Sequence, residues 1–191
     1  MPESILPYSG IIYFVVILTV SHFFWKFTVL GDETDQIVTF FGLNISAPFN
    51  FMATHVANVT AHILKWLGYQ FTLTNNTIIY SSNVGVHIVW ACSGLKQAYI
   101  FTCIIGFYRG SLRNKVWFIP IGLLVVYIVN IIRITAIAAL IKDHPDWFYL
   151  LHEHLFKYLF YAIIFGMWVI WEEKFSKKSS SPKPSESIRK Y

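Results

Sequence analysis

Four runs of apolar residues divide the chain, with short polar segments between them. They cover residues 10–30, 92–108, 116–140 and 154–171. A run of about 20 apolar residues lets an α-helix cross a hydrocarbon core of roughly 30 Å, so the pattern predicts about four transmembrane helices. The first run lacks the basic segment and the cleavage site of a removable signal peptide, and we expect it to be retained in the membrane.

The segment 37–69 departs from this pattern, because polar side chains interrupt its apolar residues too often for a regular crossing. His55, Asn58 and His62 recur at helical spacing on one side, while aliphatic residues occupy another. This arrangement predicts one or two amphipathic helices that lie in the membrane interface. A single full crossing is the alternative, and it would place the two termini on opposite sides of the membrane.

The next segment, "FTLTNNTIIYSSNVGVHIVW" (residues 71–90), is rich in residues that favour strands. Asn75-Asn76 and Ser82-Asn83 are turn signals within it, so the segment predicts a short β-hairpin. The polar backbone of a hairpin cannot face lipid. We therefore expect it to lie outside the bilayer or to be covered by protein.

The composition agrees with a membrane location. Of the 191 residues, 55% are hydrophobic and 13% are charged, with a mean hydropathy of +0.53, whereas soluble domains have roughly 25% charged residues. The predicted fold class is an all-α integral membrane protein with about four transmembrane helices, interfacial amphipathic helices and a short extracytoplasmic β-hairpin. Residues 1–175 would form one polytopic membrane domain, and residues 176–191 a disordered basic cytoplasmic tail.

The formal net charge of +5 is concentrated in two places, the loop 109–115 and the C-terminal tail. Basic residues in such positions indicate contact with anionic lipid and a cytoplasmic location, and they do not indicate nucleic acid binding. With four crossings both termini are then cytoplasmic. Cys92, the end of run 116–140 and the start of run 154–171 share the outer face.

Arg133 is the most informative single residue of the third run. A guanidinium within an apolar helix costs a few kcal/mol on insertion scales, so we expect Arg133 to face the interior of the bundle and to have a function. Its side chain extending to the outer interface is the structural alternative. Asn130 lies three residues earlier, hence on the same helical side, and favours an organised polar pocket.

Cys92 begins the second run. A buried apolar role is the usual one for a membrane cysteine, and we assign that role to Cys103. Cys92 differs, because unpaired N–H groups at the start of a helix and the cation of Lys96, one turn later, favour a thiolate. Ser93 and Gly94 keep the backbone near the sulfur uncrowded, as an acyl substrate requires.

Two histidines, His152 and His154, begin the fourth run. Being two residues apart, they point about 200° apart on a helix, so only one can face Cys92. The spacing does not match a zinc-binding HExxH helix. We expect no metal and no cofactor, although a site built from both histidines and His144 remains an alternative. A neutral imidazole near the thiol would act as base and then as acid, with Arg133 stabilising an oxyanion.

Three motifs occur in order along residues 70–171: "ACSGLKQ", then "VNIIRITAIAAL", then a histidine before "LFKYLFYAIIFGMW". In these motifs the chain resembles the exosortase/archaeosortase family. The resemblance makes Cys92 the nucleophile, Arg133 the arginine and His152 the histidine, with His154 as the alternative. It gives supporting positions to Ser93, Gly94, Asn130 and Lys96; Lys96 stands where many members have arginine, which loses the bidentate geometry.

The resemblance implies a cysteine transpeptidase or protease at the outer face of a prokaryotic cytoplasmic membrane. Its substrates would be secreted proteins that end in a short motif, a transmembrane helix and a basic cluster. A thioester acyl-enzyme would then be resolved by a surface acceptor that the sequence does not identify. The alternatives are a non-catalytic assembly or transport subunit, a protease that uses water as acceptor, and a metal-dependent enzyme.

Overall fold

The computed structural model describes residues 9–32, 36–81, 84–147 and 155–176. Within these ranges the chain is mostly helical. The α-helices are α1 (Ser9–Thr28), α2 (Ser46–Trp66), α3 (Leu95–Phe107), α4 (Leu112–Ile141) and α5 (Phe156–Trp171). The strands are β1 (Val29–Asp32), β2 (Ile37–Phe40), β3 (Leu43–Asn44), β4 (Thr72–Thr74), β5 (Thr77–Ile79) and β6 (Gly85–His87). Short 3-10 turns cover Trp90–Ser93, named the cysteine turn here, and Pro145–Trp147, and a π-helical turn covers Glu172–Ser176.

Two helices of the described ranges are long and apolar enough to cross a membrane. They are α1, with 20 residues, and α4, with 30. The apolar helix α3 has 13 residues, which at 1.5 Å per residue gives about 20 Å, less than the hydrocarbon core. Length and composition are therefore consistent with a membrane protein, and among the described residues two helices, against the four predicted crossings, meet this test.

The first half of α4 packs with α1, α3 and α5 in one aromatic core. Its buried members include Phe14, Phe101, Phe118, Phe160, Trp168 and Trp171. Gly122 on α4 makes this packing close, since a Cβ there would lie 2.0 Å from the ring of Phe101 on α3. Only glycine allows the two helices to approach in this way.

Lys115 lies at one end of this bundle. Lys115 was predicted to be one of the loop cations of 109–115, but it lies within α4 and is buried. Its ammonium group donates hydrogen bonds of 2.7 Å to the carbonyls of Gly106 and Tyr108. It thereby satisfies the last carbonyls of α3, where a cation is favoured. Arg109 and Arg113 are the exposed cations of this loop.

The second half of α4 packs at the other end of the bundle against α2, the second sheet and the cysteine turn. This second core includes Val56, Leu64, Ile78, Val86, Ile88, Cys92, Ile134 and Ile137. Tyr80 ties the sheet to α4, because its hydroxyl donates a 2.7 Å hydrogen bond to the carbonyl of Ala138. Burial, with Tyr69 and Asp143 nearby, raises the pKa of Tyr80 to about 12. The phenol therefore stays a donor at neutral pH.

The prediction of amphipathic helices over 37–69 is wrong for residues 37–44. Residues 37–44 form strands β2 and β3, and β2 pairs antiparallel with β1 directly after α1. Ile37-Val38-Thr39 is a β-branched run, which favours a strand when such a partner is available. The rest of the segment forms one helix, α2, with His55, Asn58 and His62 exposed on its polar side.

The segment predicted as a hairpin forms a three-stranded antiparallel sheet in the order β4-β5-β6. Asn75 and Asn76 join β4 to β5 with φ values of 46° and 62°, the left-handed conformation that asparagine tolerates in tight turns. Ile78 and Val86 point from this sheet into the second core. The sheet thus covers the end of α4 that carries the predicted site.

Candidate active site

Asn130 and Arg133 lie one turn apart on α4 and are both buried, with 1% and 9% of their surface exposed. Asn130 lies where the first core gives way to the second, since Val126 belongs to the first and Ile131 to the second. The protein therefore surrounds both polar side chains, as the cost of placing them in lipid demands. The structure confirms that both side chains are buried against neighbouring parts of the protein.

The cysteine turn brings Cys92 to this face of α4. The amide of Cys92 donates a 2.9 Å hydrogen bond to the carbonyl of Val89. Gly94 then adopts φ +80°, which ends the turn and starts α3. A Cβ at Gly94 would lie 3.0 Å from the side-chain amide of Asn130. Glycine is thus required here both by the left-handed backbone and by the close approach of α4.

A hydrogen bond joins the two motifs directly. The side-chain amide nitrogen of Asn130 donates to the carbonyl of Cys92 at 2.9 Å. The amide oxygen of Asn130 is also buried, and no hydrogen-bond partner for it occurs among the described residues. The amide nitrogen of Asn130 holds the cysteine turn in place. Its amide oxygen is a hydrogen-bond acceptor beside that turn.

Cys92 itself is 9% exposed and belongs to the second core. Its neighbours there come from α2, α4 and the second sheet, so the residue is enclosed by protein at the boundary between the two cores. Cys103 lies within the aromatic bundle, partly buried. The two cysteines therefore occupy different environments, as the sequence analysis expected.

Lys96 does not share a helical face with Cys92. Their spacing predicted positions one turn apart on one helix, but the left-handed Gly94 separates the 3-10 turn of Cys92 from α3, where Lys96 lies. Spacing rules for a continuous helix do not apply across such a break. Lys96 instead lines a cavity of about 240 Å³ that also reaches Ser93.

His152 and His154 lie outside the described residues, as does the tail from residue 177 onward. The described chain resumes at residue 155, directly before α5. The structure therefore describes neither candidate for the third catalytic group.

A histidine of the polar side of α2 contacts the site helix, which its spacing did not predict. The imidazole of His55 on α2 forms a 2.9 Å hydrogen bond with the hydroxyl of Tyr127 on α4, one turn before Asn130. Contacts between distant helices leave no signal in the spacing of one sequence. His87, in contrast, binds Thr77 at 2.7 Å and Gln36 at 3.2 Å.

No group of three His, Cys, Asp or Glu side chains suited to a metal ion occurs within the described ranges. His144, named above for a metal alternative, stacks on Trp147 with 4.7 Å between ring centroids. The described residues place the side-chain amide of Asn130 against the backbone of Cys92, and the buried Arg133 lies one turn further along α4. A nucleophile and hydrogen-bond donors are the kinds of group that acyl chemistry uses.

Comparison with known families gives a match. The family model described as transmembrane exosortase matches residues 37–170, well over half of the chain. The matched region contains Cys92, Asn130, Arg133, His152 and His154. Comparisons with curated proteins and with solved structures give no match.

Proposed function

The chain belongs to the transmembrane exosortase family, and we propose that it works as a membrane-embedded cysteine transpeptidase or protease. Its substrates would be secreted proteins, which it would cleave at a C-terminal sorting signal. The observation that carries this proposal is the 2.9 Å hydrogen bond from Asn130 to the carbonyl of Cys92. It links the cysteine motif to the helix that carries Arg133.

The proposed reaction begins with attack of the Cys92 thiolate on the carbonyl carbon of the scissile peptide bond. The resulting oxyanion would be stabilised by the guanidinium of Arg133. The carbon–nitrogen bond then breaks, and the leaving amine takes the proton that His152, or His154 in the alternative assignment, has accepted from the Cys92 thiol. The product is a thioester on Cys92. The amine of a surface acceptor or a water molecule then attacks it, the neutral imidazole takes the proton that this nucleophile loses, and the thiolate leaves.

The position of the site supports cleavage at a membrane boundary. Cys92 lies where the aromatic bundle ends and the second core begins. A substrate whose recognition motif directly precedes its own transmembrane helix would present its scissile bond at the same level. The bundle would therefore bind the substrate helix from the lipid side, with the motif beside the cysteine turn.

The two ends of the bundle support an outward-facing site. At one end the guanidinium of Arg109 lies 5.8 Å above the ring of Tyr13, and Arg113 is exposed nearby in sequence. Basic residues in short loops favour the cytoplasm. The cysteine turn lies at the other end of α1, since Trp90 and Ser93 line one cavity with Trp25 and Lys26, and a Cβ at Gly31 in β1 would lie 2.7 Å from the ring of Trp90. We therefore assign Cys92 to the extracytoplasmic face of a prokaryotic cytoplasmic membrane.

Co-expression with a candidate substrate tests the proposal. Cys92→Ala should abolish processing while the protein still accumulates in the membrane, and Cys103→Ala, the matched control, should process normally. Processing by the Cys92→Ala variant would favour the non-catalytic subunit instead. The mass of the new substrate C-terminus separates the two reactions, because a free carboxylate indicates hydrolysis and an added mass indicates transfer.

A further inference from the structure

A cavity of about 610 Å³ lies where α2 meets the turn between β4 and β5. Its volume is within the roughly 300–1,000 Å³ of a typical ligand pocket. Most of the described side chains that line it are amides, each of which carries both hydrogen-bond donors and an acceptor. The described lining residues are Gln36, Thr54, Asn58, Leu73, Asn75 and Asn76. A peptide group also has one donor and one acceptor, so such a lining suits the backbone of a peptide.

Hydrogen bonds hold part of this lining in place. The side-chain amide nitrogen of Asn76 donates to the hydroxyl of Thr54 at 3.2 Å and ties the β4–β5 turn to α2. The side-chain amide of Gln36 forms a 3.2 Å hydrogen bond with the imidazole of His87. The backbone carbonyl of Gln36 also accepts a 3.0 Å hydrogen bond from Asn50. Walls that are fixed in advance lower the entropy cost of binding a ligand.

Two other amides lie on separate walls of the cavity. Asn58 belongs to α2, Asn75 belongs to the β4–β5 turn, and both residues are exposed. A ligand that enters the cavity can therefore reach hydrogen-bonding groups on two sides. An extended peptide carries N–H and C=O groups along both of its edges, which matches this arrangement.

The cavity is connected to the cysteine turn through both of these walls. The backbone carbonyl of Asn76 accepts a 3.0 Å hydrogen bond from the amide of Ile88, two residues before the turn begins. The stretch of α2 that lines the cavity also carries Val56 and Ala57, which pack in the second core with Cys92. The cavity and the proposed nucleophile therefore lie at the same end of the protein.

We propose that this cavity binds the recognition motif of the substrate, the residues directly before the scissile bond, through their backbone peptide groups. The inference rests on the proposed function, which needs a peptide on the extracytoplasmic side next to Cys92. Three or four extended residues cover roughly 10–14 Å. Holding them by their peptide groups fixes how far the substrate enters and places the scissile bond beside the thiol. Such contacts are the same before and during the reaction, so they act on substrate binding.

Initial-rate kinetics of the full chain test the proposal, with a candidate substrate at varied concentration and hydroxylamine as a small acceptor. Asn58→Ala removes one amide. Asn75→Gly removes the other and keeps a residue that tolerates the left-handed backbone, where φ is 46°. Each substitution should raise the KM for the substrate about three- to ten-fold, as expected for the loss of one hydrogen bond. The kcat should stay unchanged, because neither amide contacts the reacting atoms.

Gln70→Ala is the matched control, because Gln70 is an exposed amide between α2 and β4 and is not one of the described lining residues. It should keep the KM of the unmodified protein. The unfolding temperature of Asn58→Ala should not fall, which excludes a folding defect as the cause of a higher KM.

An unchanged KM in both variants, while the unmodified protein processes the substrate, would overturn this inference and leave the proposed function intact. Slower transfer to the native surface acceptor, with an unchanged substrate KM in hydroxylamine, would assign the cavity to that acceptor and overturn the peptide assignment. No processing by the unmodified protein would overturn the proposed function and this inference with it.

Discussion

The side-chain amide of Asn130 on α4 donates a 2.9 Å hydrogen bond to the backbone carbonyl of Cys92. The two residues are 38 positions apart in the chain, and both are buried. A single buried contact thus fixes the cysteine turn on the helix that carries Arg133. We expect the geometry of the proposed site to depend on it.

Replacing Asn130 tests this dependence. Asn130→Asp keeps the size of the side chain, but a carboxylate cannot donate to the carbonyl of Cys92. We expect a loss of about 1–3 kcal/mol in stability, the usual cost of leaving a buried polar group without its partner, together with a strong loss of substrate processing. Thermal unfolding in detergent and a processing assay measure the two effects.

The control for this experiment is Asn58→Asp on the exposed face of α2, which should change stability by less than about 0.5 kcal/mol. An Asn130→Asp variant with unaltered stability and processing would show that the contact does not support the site.

Gly94 and Gly106 form a matched pair of glycines. Gly94 has φ +80° and no room for a Cβ beside Asn130, whereas Gly106 lies within α3 and a Cβ there would meet nothing within 4 Å. Gly94→Ala should therefore destabilise the protein by about 1–3 kcal/mol and displace the cysteine turn. Gly106→Ala should be neutral or stabilising by up to about 1 kcal/mol, because alanine favours helices. Equal unfolding temperatures for the two variants would contradict the described turn.

Lys115 should contribute to stability through the end of α3. Lys115→Met removes both 2.7 Å hydrogen bonds to the carbonyls of Gly106 and Tyr108, and we expect a loss of about 1–3 kcal/mol. The measurement is thermal unfolding, with Arg113→Met at an exposed position as the control. Similar small effects for both variants would mean that Lys115 acts only as a loop cation.

The elements that the sequence predicted best are those with long local patterns. The apolar run 116–140 predicted α4, which the structure extends to Leu112–Ile141. The run 10–30 predicted α1, although its last residues turn into strand β1. Local hydrophobicity identifies a helix, but the point where it ends depends on partners elsewhere, here the antiparallel strand β2.

The candidate site was only partly predictable for the same reason. Spacing placed Asn130 and Arg133 on one side of α4, and the structure agrees. Spacing also placed Cys92 and Lys96 on one helical face, and this was wrong, because Gly94 adopts a left-handed conformation that a helical count cannot anticipate. The contact between Asn130 and Cys92, like that between His55 and Tyr127, depends on tertiary packing and has no local signature.

The histidine assignment can be decided by three single substitutions. We expect His152→Ala to lower the rate of processing by about 10²–10⁴-fold, the range of a general acid–base group. His154→Ala should retain most activity, because the family resemblance favours His152. His55→Ala should also retain most activity, because His55 is hydrogen-bonded to Tyr127. Initial rates with one substrate in membranes measure the effect. Loss in His154→Ala alone would assign the role to the alternative residue, and loss in His55→Ala alone would move it to α2.

The most direct test of the central claim is the mass of the enzyme after reaction with a substrate in the absence of an acceptor. Intact-protein and peptide mass spectrometry should find the N-terminal part of the substrate attached to Cys92 through a bond that hydroxylamine cleaves, as it does a thioester. The Arg133→Gln variant should accumulate far less of this adduct. An adduct on another residue, or normal processing by Cys92→Ala with no adduct at all, would contradict the account.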